Sequence, residues 1–141
     1  MRVIILSDVF FKKYRNCPEI LCKENRPYIC LSVSIDGLQY GIPIRHHVRH
    51  AYSFKTIGEA GLDYTKAVLI IDDTFISNDS AVIDSKEWNI IKKNENSIYA
   101  GFSRYLRQYK RALNNPNNPR SEKIVKYSSL QYFDLSSKEG E

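Results

Sequence analysis

The sequence predicts a single α+β domain in which a small, strongly bent antiparallel sheet is flanked by helices. Asp36-Gly37 separates two apolar runs, 28–35 and 38–44, and is a hairpin signal because glycine tolerates the positive φ of such a turn. Apolar and aromatic residues recur at three- and four-residue steps over 95–113, the spacing of one helix face. The 141 residues fit one domain, predicted over 1–135, with a disordered tail over 136–141.

The region before the hairpin predicts one short strand and one short helix. Residues 3–6 are a β-rich run, and Ser7 or Asp8 can cap a helix that continues to about residue 15. Asn16-Cys17-Pro18 ends this helix, because the residue before a proline disfavours the helical region. The side chains expected on its inner face are Val9, Phe10 and Tyr14.

The region after the hairpin predicts further extended segments. Pro43 lies near the end of the second hairpin strand, where a missing N–H donor is best tolerated if that strand is at an edge. Residues 51–55 are predicted to form a short strand, and Gly58 and Gly61 mark a mobile link. A buried strand is predicted over 64–71, and another short extended piece begins at 75–76.

The C-terminal half predicts helices. Asp84-Ser-Lys-Glu87 resembles a capping box and predicts a helix to Lys93. The longest helix is predicted over 95–113, and the Asn/Pro run over 114–119 ends it. Residues 122–135 can form one more short helix. The side chains expected on the inner face of the long helix are Ile98, Phe102, Tyr105, Leu106, Tyr109 and Leu113.

Charge is distributed unevenly along the chain. The net charge is +5, and residues 104–126 hold seven basic side chains against one acid. Such asymmetry favours an anionic partner on one side of the molecule, although a solvated basic face is the competing explanation. The basic side chains of the long helix that are predicted to contact this partner are Arg104, Arg107, Lys110 and Arg111. Tyr40, Tyr52 and Tyr64 could stack on bases or pack in the core.

Cysteine usage and hydropathy predict a cytoplasmic protein. Cys17, Cys22 and Cys30 are an odd set without a CxxC pair, which is typical of reduced thiols. A zinc site that combines them with histidines lacks the usual ligand spacing. The first residues are too short an apolar run for a signal peptide, and no apolar run reaches transmembrane length, so no membrane association is expected.

One segment concentrates groups suited to chemistry on a phosphodiester. All three histidines, His46, His47 and His50, fall within five positions, with Arg45 directly before them and Arg49 among them. Histidine can gain or lose a proton near neutral pH, and arginine presents a planar fork of donors that suits phosphate. The segment follows the hairpin, where a rigid scaffold fixes the root of a loop. It therefore predicts a site that binds a phosphodiester and moves a proton near it.

The aspartates Asp63, Asp72 and Asp73 resemble a metal-ligand trio only superficially. We expect Asp63 to anchor a loop or to orient an arginine, and we expect neither a metal nor another cofactor.

Three stretches together resemble the TenpIN branch of type III toxin–antitoxin toxins, which is related to the ToxN and AbiQ toxins. They are Gly41-Ile-Pro-Ile-Arg-His-His-Val-Arg-His50, Gly61-Leu-Asp-Tyr-Thr-Lys-Ala-Val-Leu-Ile70 and Asp72-Asp73. The resemblance implies a barrel-like sheet similar to that of MazF and Kid toxins. It also implies a bacterial endoribonuclease that cuts RNA without a metal and acts in phage defence or growth control. The resemblance further implies inhibition by a folded, repeat-encoded RNA antitoxin in a closed protein–RNA oligomer.

The resemblance also suggests which residues form the site. In the ToxN branch the segment after the proline resembles Thr-Ser-x-Lys, and here Arg45 and His46 stand where the two hydroxyls would be. Arg26 is the best match for a basic residue that precedes the hairpin in that branch. The TenpIN form Arg-x-His-x-x-His places Arg45, His47 and His50 ahead of His46.

From this pattern we expect His47 and His50 to transfer protons while Arg45 and Arg49 hold the phosphate. Using the 2′-hydroxyl would leave a cyclic phosphate and make the activity selective for RNA. The alternative is a non-catalytic RNA-binding module in which the Arg/His cluster only contacts phosphate.

Overall fold

A computed structural model describes residues 1–20 and 28–136 of the chain. The predicted site residue Arg26, the thiol of Cys22 and the predicted tail beyond Ser136 lie outside the described residues.

The described residues form an α+β fold with a six-stranded antiparallel sheet and four α-helices, which confirms the predicted class. The strands are β1 (Arg2–Ile5), β2 (Ile29–Ile35), β3 (Leu38–Arg45), β4 (Ser53–Lys55), β5 (Gly61–Asp63) and β6 (Val68–Leu69). Their order is β1-β2-β3-β5-β4, with β6 also paired to β3. The pairings leave β1 and β4 at the two ends, so the described strands do not close into a barrel.

The helices are α1 (Asp8–Lys13), α2 (Ser85–Lys93), α3 (Glu95–Leu113) and α4 (Pro119–Lys126). In the described part of the chain, none of these has both the length and the apolar character needed to cross a membrane.

The β2–β3 hairpin forms as predicted. Asp36 and Gly37 have φ of 53° and 78°, the two positive values of a turn that matches the twist of the strands. Pro43, however, does not lie on an edge strand, because β3 pairs with β2 on one side and with β5 and β6 on the other. The pairing with β6 ends at Gly41 and that with β5 begins at Ile44. The missing N–H of Pro43 is therefore tolerated at a gap in one ladder.

The predicted strand over 64–71 is wrong in its first half. Gly61 begins strand β5 instead of belonging to a mobile link, and the chain then makes a 3-10 turn over Tyr64–Lys66. Asp63 caps this turn by accepting hydrogen bonds from both the N–H and the hydroxyl of Thr65. A capping interaction of this kind competes with continued strand pairing.

The predicted helices form, but α4 covers Pro119–Lys126 instead of 122–135, and several residues on the inner faces differ from the prediction. Helix α3 has the predicted bounds, but Leu113 is exposed and Ala112 is buried in its place. In α1, Phe10 is buried whereas Val9 is exposed. Helix α4 begins earlier than predicted, because Asn118 accepts hydrogen bonds from the N–H groups of residues 120 and 121 and so caps a helix in which Pro119 is the first residue.

The sheet carries a hydrophobic cluster on each face. Alternate residues of β2 separate them: Leu31 and Val33 belong to the larger cluster, and Cys30 belongs to the smaller one with Phe10 of α1. Cys30 is a free thiol whose pKa is raised by burial. The side chains of α3 that enter the larger cluster are Ile98, Phe102, Tyr105, Leu106 and Tyr109.

A glycine allows the segment after β5 to approach α3 closely. Tyr64 lies across the helix and donates a hydrogen bond from its hydroxyl to the carbonyl of Ile98 at 3.2 Å. A Cβ on Gly101 would come within 2.6 Å of that hydroxyl oxygen. Glycine leaves room for the ring of Tyr64 there, which lets the 3-10 turn that follows Asp63 lie against the long helix.

Candidate functional site

Strand β5 brings together two residues of the predicted site and one aspartate. Arg45, the last residue of β3, pairs with Gly61 at the start of β5, and Asp63 is two positions farther along the same strand. On the other side of β5, Ser53 of β4 pairs with Asp63. The hydroxyl of Ser53 donates to the carbonyl of His50 at 2.9 Å, which places the imidazole beside Asp63.

Asp63 is the centre of this arrangement, with an exposed fraction of 0%. Its Oδ2 accepts a hydrogen bond from Nη1 of Arg45 at 2.7 Å, and its Oδ1 lies 3.0 Å from Nε2 of His50. Oδ1 also accepts from the N–H and the hydroxyl of Thr65, at 3.0 and 2.6 Å. A buried carboxylate requires such partners, and four donors satisfy the accepting capacity of its two oxygens.

Opposing effects set the pKa of Asp63. Burial on its own raises it, because a charged carboxylate is poorly solvated there. The hydrogen bonds from His50, Thr65 and Arg45 favour the ionised form more strongly and lower the pKa of Asp63 to about 2. Asp63 is therefore a fixed negative charge at neutral pH, which orients its neighbours and does not itself exchange protons.

The hydrogen bonds of His50 define its tautomer. Nδ1 accepts from the backbone N–H of Tyr52 at 3.1 Å, so this nitrogen carries no proton. The proton of the neutral ring is then on Nε2, which donates to Asp63. The basic lone pair of His50 is therefore on Nδ1, which faces the backbone N–H of Tyr52. The side chain of His50 is 38% exposed.

These residues line a cavity of about 400 Å³. Its other walls come from the 3-10 turn, α3 and α4. The side chains that line it are Arg45, His50, Tyr52, Asp63, Thr65, Lys66, Tyr105, Lys123, Ile124 and Tyr127. The cavity thus combines cations, one histidine and three aromatic rings.

Lys66 links the cavity to two distant parts of the chain. Its ammonium donates to Glu19 Oε1 at 3.0 Å and to the backbone carbonyl of Tyr127 at 3.0 Å. The backbone N–H of Glu19 in turn donates a hydrogen bond to the hydroxyl oxygen of Tyr132 at 3.2 Å. The hydrogen bond from Lys66 to the carbonyl of Tyr127 therefore holds the end of α4 beside the cavity.

The structure does not bring the other members of the Arg/His cluster into this cavity. His47 has an exposed fraction of 70% and pairs through Nδ1 with Glu59 at 2.8 Å. His46 and Arg49 are exposed, while Val48 between them is buried and donates its N–H to the carbonyl of Glu59. Burial of Val48 therefore directs the residues on each side of it toward solvent, and of the expected proton-transfer pair only His50 lines this cavity.

Two further sequence-based assignments have different outcomes. Tyr40 is almost fully buried and packs edge-on against Phe102 with ring centroids 5.2 Å apart, so it belongs to the core and cannot stack on RNA. The basic residues of α3 are exposed, as a binding surface requires. Arg104, Arg107 and Lys110 lie along a second groove beside the hairpin turn, and Arg111 is on the exposed side of the same helix.

Several residues of the cavity were not predicted. Lys66, Lys123 and Tyr127 are separated from the Arg/His cluster by long stretches of sequence, and no local motif connects them to it. The contact between Thr65 and Asp63 could have been predicted, because Asp63-Tyr-Thr65 has the spacing of an aspartate that caps a turn. The expectation that Asp63 orients an arginine is confirmed. Within residues 1–20 and 28–136, no group of three or more His, Cys, Asp or Glu side chains is arranged to hold a metal ion.

Comparisons of the chain with protein-family models, with curated proteins and with solved structures give no match.

Proposed function

We propose that this protein is a metal-independent endoribonuclease whose site is the cavity around Asp63. The observation that carries the proposal is the buried Asp63 carboxylate, which holds the guanidinium of Arg45 and the imidazole of His50 at one cavity. A fixed cation and a histidine are the groups that cleavage through the 2′-hydroxyl needs.

In the proposed reaction, the 2′-hydroxyl first replaces the N–H of Tyr52 as the hydrogen-bond donor to Nδ1 of His50. Nδ1 then accepts the proton of the 2′-hydroxyl. The 2′-oxygen bonds to phosphorus and the bond to the 5′-oxygen breaks, leaving a 2′,3′-cyclic phosphate. Asp63 stabilises the resulting imidazolium through Nε2–H, as carboxylates do for histidine bases in hydrolases. We assign Lys123, which is exposed at the cavity, as the acid that protonates the 5′-oxygen.

Arg45 is proposed to hold the phosphate. Its hydrogen bond to Asp63 uses Nη1, and a guanidinium presents five N–H donors in all, so one side chain can contact both Asp63 and a phosphate. Because Asp63 fixes its orientation, Arg45 meets the charge that develops in the transition state without first having to reorganise.

The biological setting of the proposal rests on the resemblance to type III toxins. It comprises a bacterial cytoplasmic toxin with a sheet of barrel-like curvature, inhibition by a folded RNA antitoxin in a closed protein–RNA oligomer, and a role in phage defence. The exposed basic residues of α3 are candidates for contacts with that antitoxin or with substrate RNA.

A second candidate function, non-catalytic RNA binding, is favoured by one observation. Both ring nitrogens of His50 are engaged within the protein, so proton transfer requires the bond from Tyr52 to open. A binding module would have no need of that step.

The deciding experiment is RNA cleavage in excess EDTA by the wild type, His50→Ala and His47→Ala, with affinity measured on the same RNA carrying 2′-O-methyl groups. We expect cyclic-phosphate ends, a loss of at least about a hundredfold in rate for His50→Ala, and nearly unchanged affinity. His47→Ala tests which histidine transfers the proton: loss of cleavage in this variant, with cleavage retained in His50→Ala, would assign the role to His47. Binding without cleavage by the folded wild type would favour the binding module, and cleavage that EDTA abolishes would refute the mechanism.

A further inference from the structure

The cavity around Asp63 contains more aromatic surface than proton transfer requires. Tyr52 packs edge-on against Tyr105, with ring centroids 5.7 Å apart and planes at 61°. Tyr105 is itself fixed, because it is buried and its hydroxyl donates to Oγ of Ser128 at 2.8 Å. Burial also raises the pKa of Tyr105. Tyr52 and Tyr105 therefore form a rigid aromatic wall.

Tyr127 adds an aromatic ring that is still open to solvent. Its exposed fraction is 54%, although its backbone carbonyl is held by Lys66. The ring follows the last residue of α4 and lines the cavity together with Ile124. An exposed ring on an anchored backbone can stack on a ligand without a large loss of backbone freedom.

Most polar groups of the cavity already have partners inside the protein. The hydroxyl of Thr65 donates to Asp63, that of Tyr105 donates to Ser128, and both oxygens of Asp63 accept hydrogen bonds. The other polar groups of the lining are Lys123, which the proposed mechanism uses as an acid, and the hydroxyls of Tyr52 and Tyr127 at the edges of their rings. We therefore expect stacking area to contribute more to recognition than hydrogen bonds to the edge of a base.

We propose that the cavity is a subsite for one unpaired nucleobase of RNA, with the ring of Tyr127 stacked on the base, Tyr52 as its wall and the adjacent phosphate at Arg45. This inference rests on the proposed function, since it names the part of the RNA that the same site takes. A volume of about 400 Å³ is in the range of small-ligand cavities. The base must be unpaired, because a base within a duplex cannot offer its face to a side chain. Because a purine has a larger ring face than a pyrimidine, we expect a purine to stack on Tyr127 more strongly.

The probes are adenosine 3′-monophosphate and cytidine 3′-monophosphate, titrated by calorimetry into the wild type, Tyr127→Ala and Tyr127→Phe. We expect the adenosine nucleotide to bind more tightly, Tyr127→Phe to retain its affinity, and Tyr127→Ala to lose roughly fivefold to a hundredfold. Tyr99→Ala removes a comparably exposed tyrosine (45%) from the second groove, beside Arg104. Equal affinity of the two nucleotides, or a loss with Tyr99→Ala in place of Tyr127→Ala, overturns the inference. Circular dichroism of each variant checks that it is folded. If Tyr127→Ala does not fold, the comparison of the two nucleotides on the wild type and on Tyr127→Phe still tests the inference.

Cleavage in EDTA is measured on the same preparations, so that the two proposals fail separately. RNA cleavage that depends on His50, without nucleotide binding that depends on Tyr127, refutes the base subsite and leaves the endoribonuclease. Nucleotide binding that depends on Tyr127, without any cleavage, supports the subsite and refutes the catalytic proposal.

Discussion

The guanidinium of Arg45 lies 2.7 Å from the carboxylate of Asp63, although 18 residues separate them in the sequence. Gly61 stands opposite Arg45 on the neighbouring strand, so no side chain lies between Arg45 and the aspartate two positions farther along. Asp63 is fully buried, whereas the side chain of Arg45 is a third exposed. The pair therefore presents a cation to the cavity while its counter-charge stays within the protein.

Asp63→Ala is expected to lower the free energy of unfolding by roughly 3 kcal/mol, because donors of Arg45, His50 and Thr65 lose their common acceptor. Urea unfolding at neutral pH measures the change. Asp79→Ala removes an exposed carboxylate and serves as the control. A loss below about 1 kcal/mol for Asp63→Ala would mean that water replaces the carboxylate and that the network is not structural.

Acid should weaken the fold through Asp63 in a defined window. The pKa of Asp63 is about 2 in the folded protein, below the value of about 3.9 for an unfolded chain, so ionisation of Asp63 stabilises the folded state above about pH 4. This contribution, on the order of 2 kcal/mol, is lost as the pH falls through the folded pKa. Denaturant unfolding from pH 5 to pH 2 should therefore be less steep with pH for Asp63→Asn than for the wild type. Parallel curves would contradict the assignment.

The tautomer of His50 can be read directly by NMR. We expect the two ring nitrogens to give the ¹⁵N shifts of a neutral imidazole protonated on Nε2, because Nδ1 accepts the N–H of Tyr52. The spectrum is recorded at a pH where the ring is neutral, and His50→Gln assigns the signals. Protonation on Nδ1 would show that the bond from Tyr52 is absent in solution and would remove the observation that favours a pure binding role.

Gly101→Ala should destabilise the protein although alanine is the better helix former. Its Cβ would meet the hydroxyl oxygen of Tyr64 at 2.6 Å, and such overpacking typically costs about 1–3 kcal/mol. In a Tyr64→Phe background the nearest atoms are at 3.3 Å, and the same substitution should cost less or stabilise. A double-mutant cycle by thermal or urea unfolding measures the coupling. Equal effects in both backgrounds would show that the helix moves to make room.

The sequence predicts elements with a clear periodic or turn signal, and it fails where a capping residue or a distant contact decides the structure. The Asp36-Gly37 turn and the bounds of α3 follow from local preferences and periodicity, and both are confirmed. The predicted strand through residues 64–66 is wrong because Asp63 caps a turn there, which stops the strand. Leu113 has the right periodicity but lies at the exposed end of its helix, where no neighbouring element covers it.

The site follows the same division. Arg45 and His50 were predicted from the density of basic groups in one segment, and the cavity contains both. Which histidine faces the cavity depends on burial of Val48 and on the pairing of β4 with β5. Neither is visible in the spacing of histidines alone. The contributions of Lys123 and Tyr127 depend on where α4 packs, which a single sequence does not specify.

Helix α4 supplies part of the cavity wall, yet none of its residues is fully buried. The hairpin strands, by contrast, contribute buried residues to the clusters on both faces of the sheet. Because resistance to opening follows burial, amide hydrogens of α4 should exchange with solvent at a smaller free energy than those of β2 and β3. RNA that fills the cavity would slow exchange in α4 most. If RNA binds there as proposed, the rate at which it leaves would then depend on how often α4 opens.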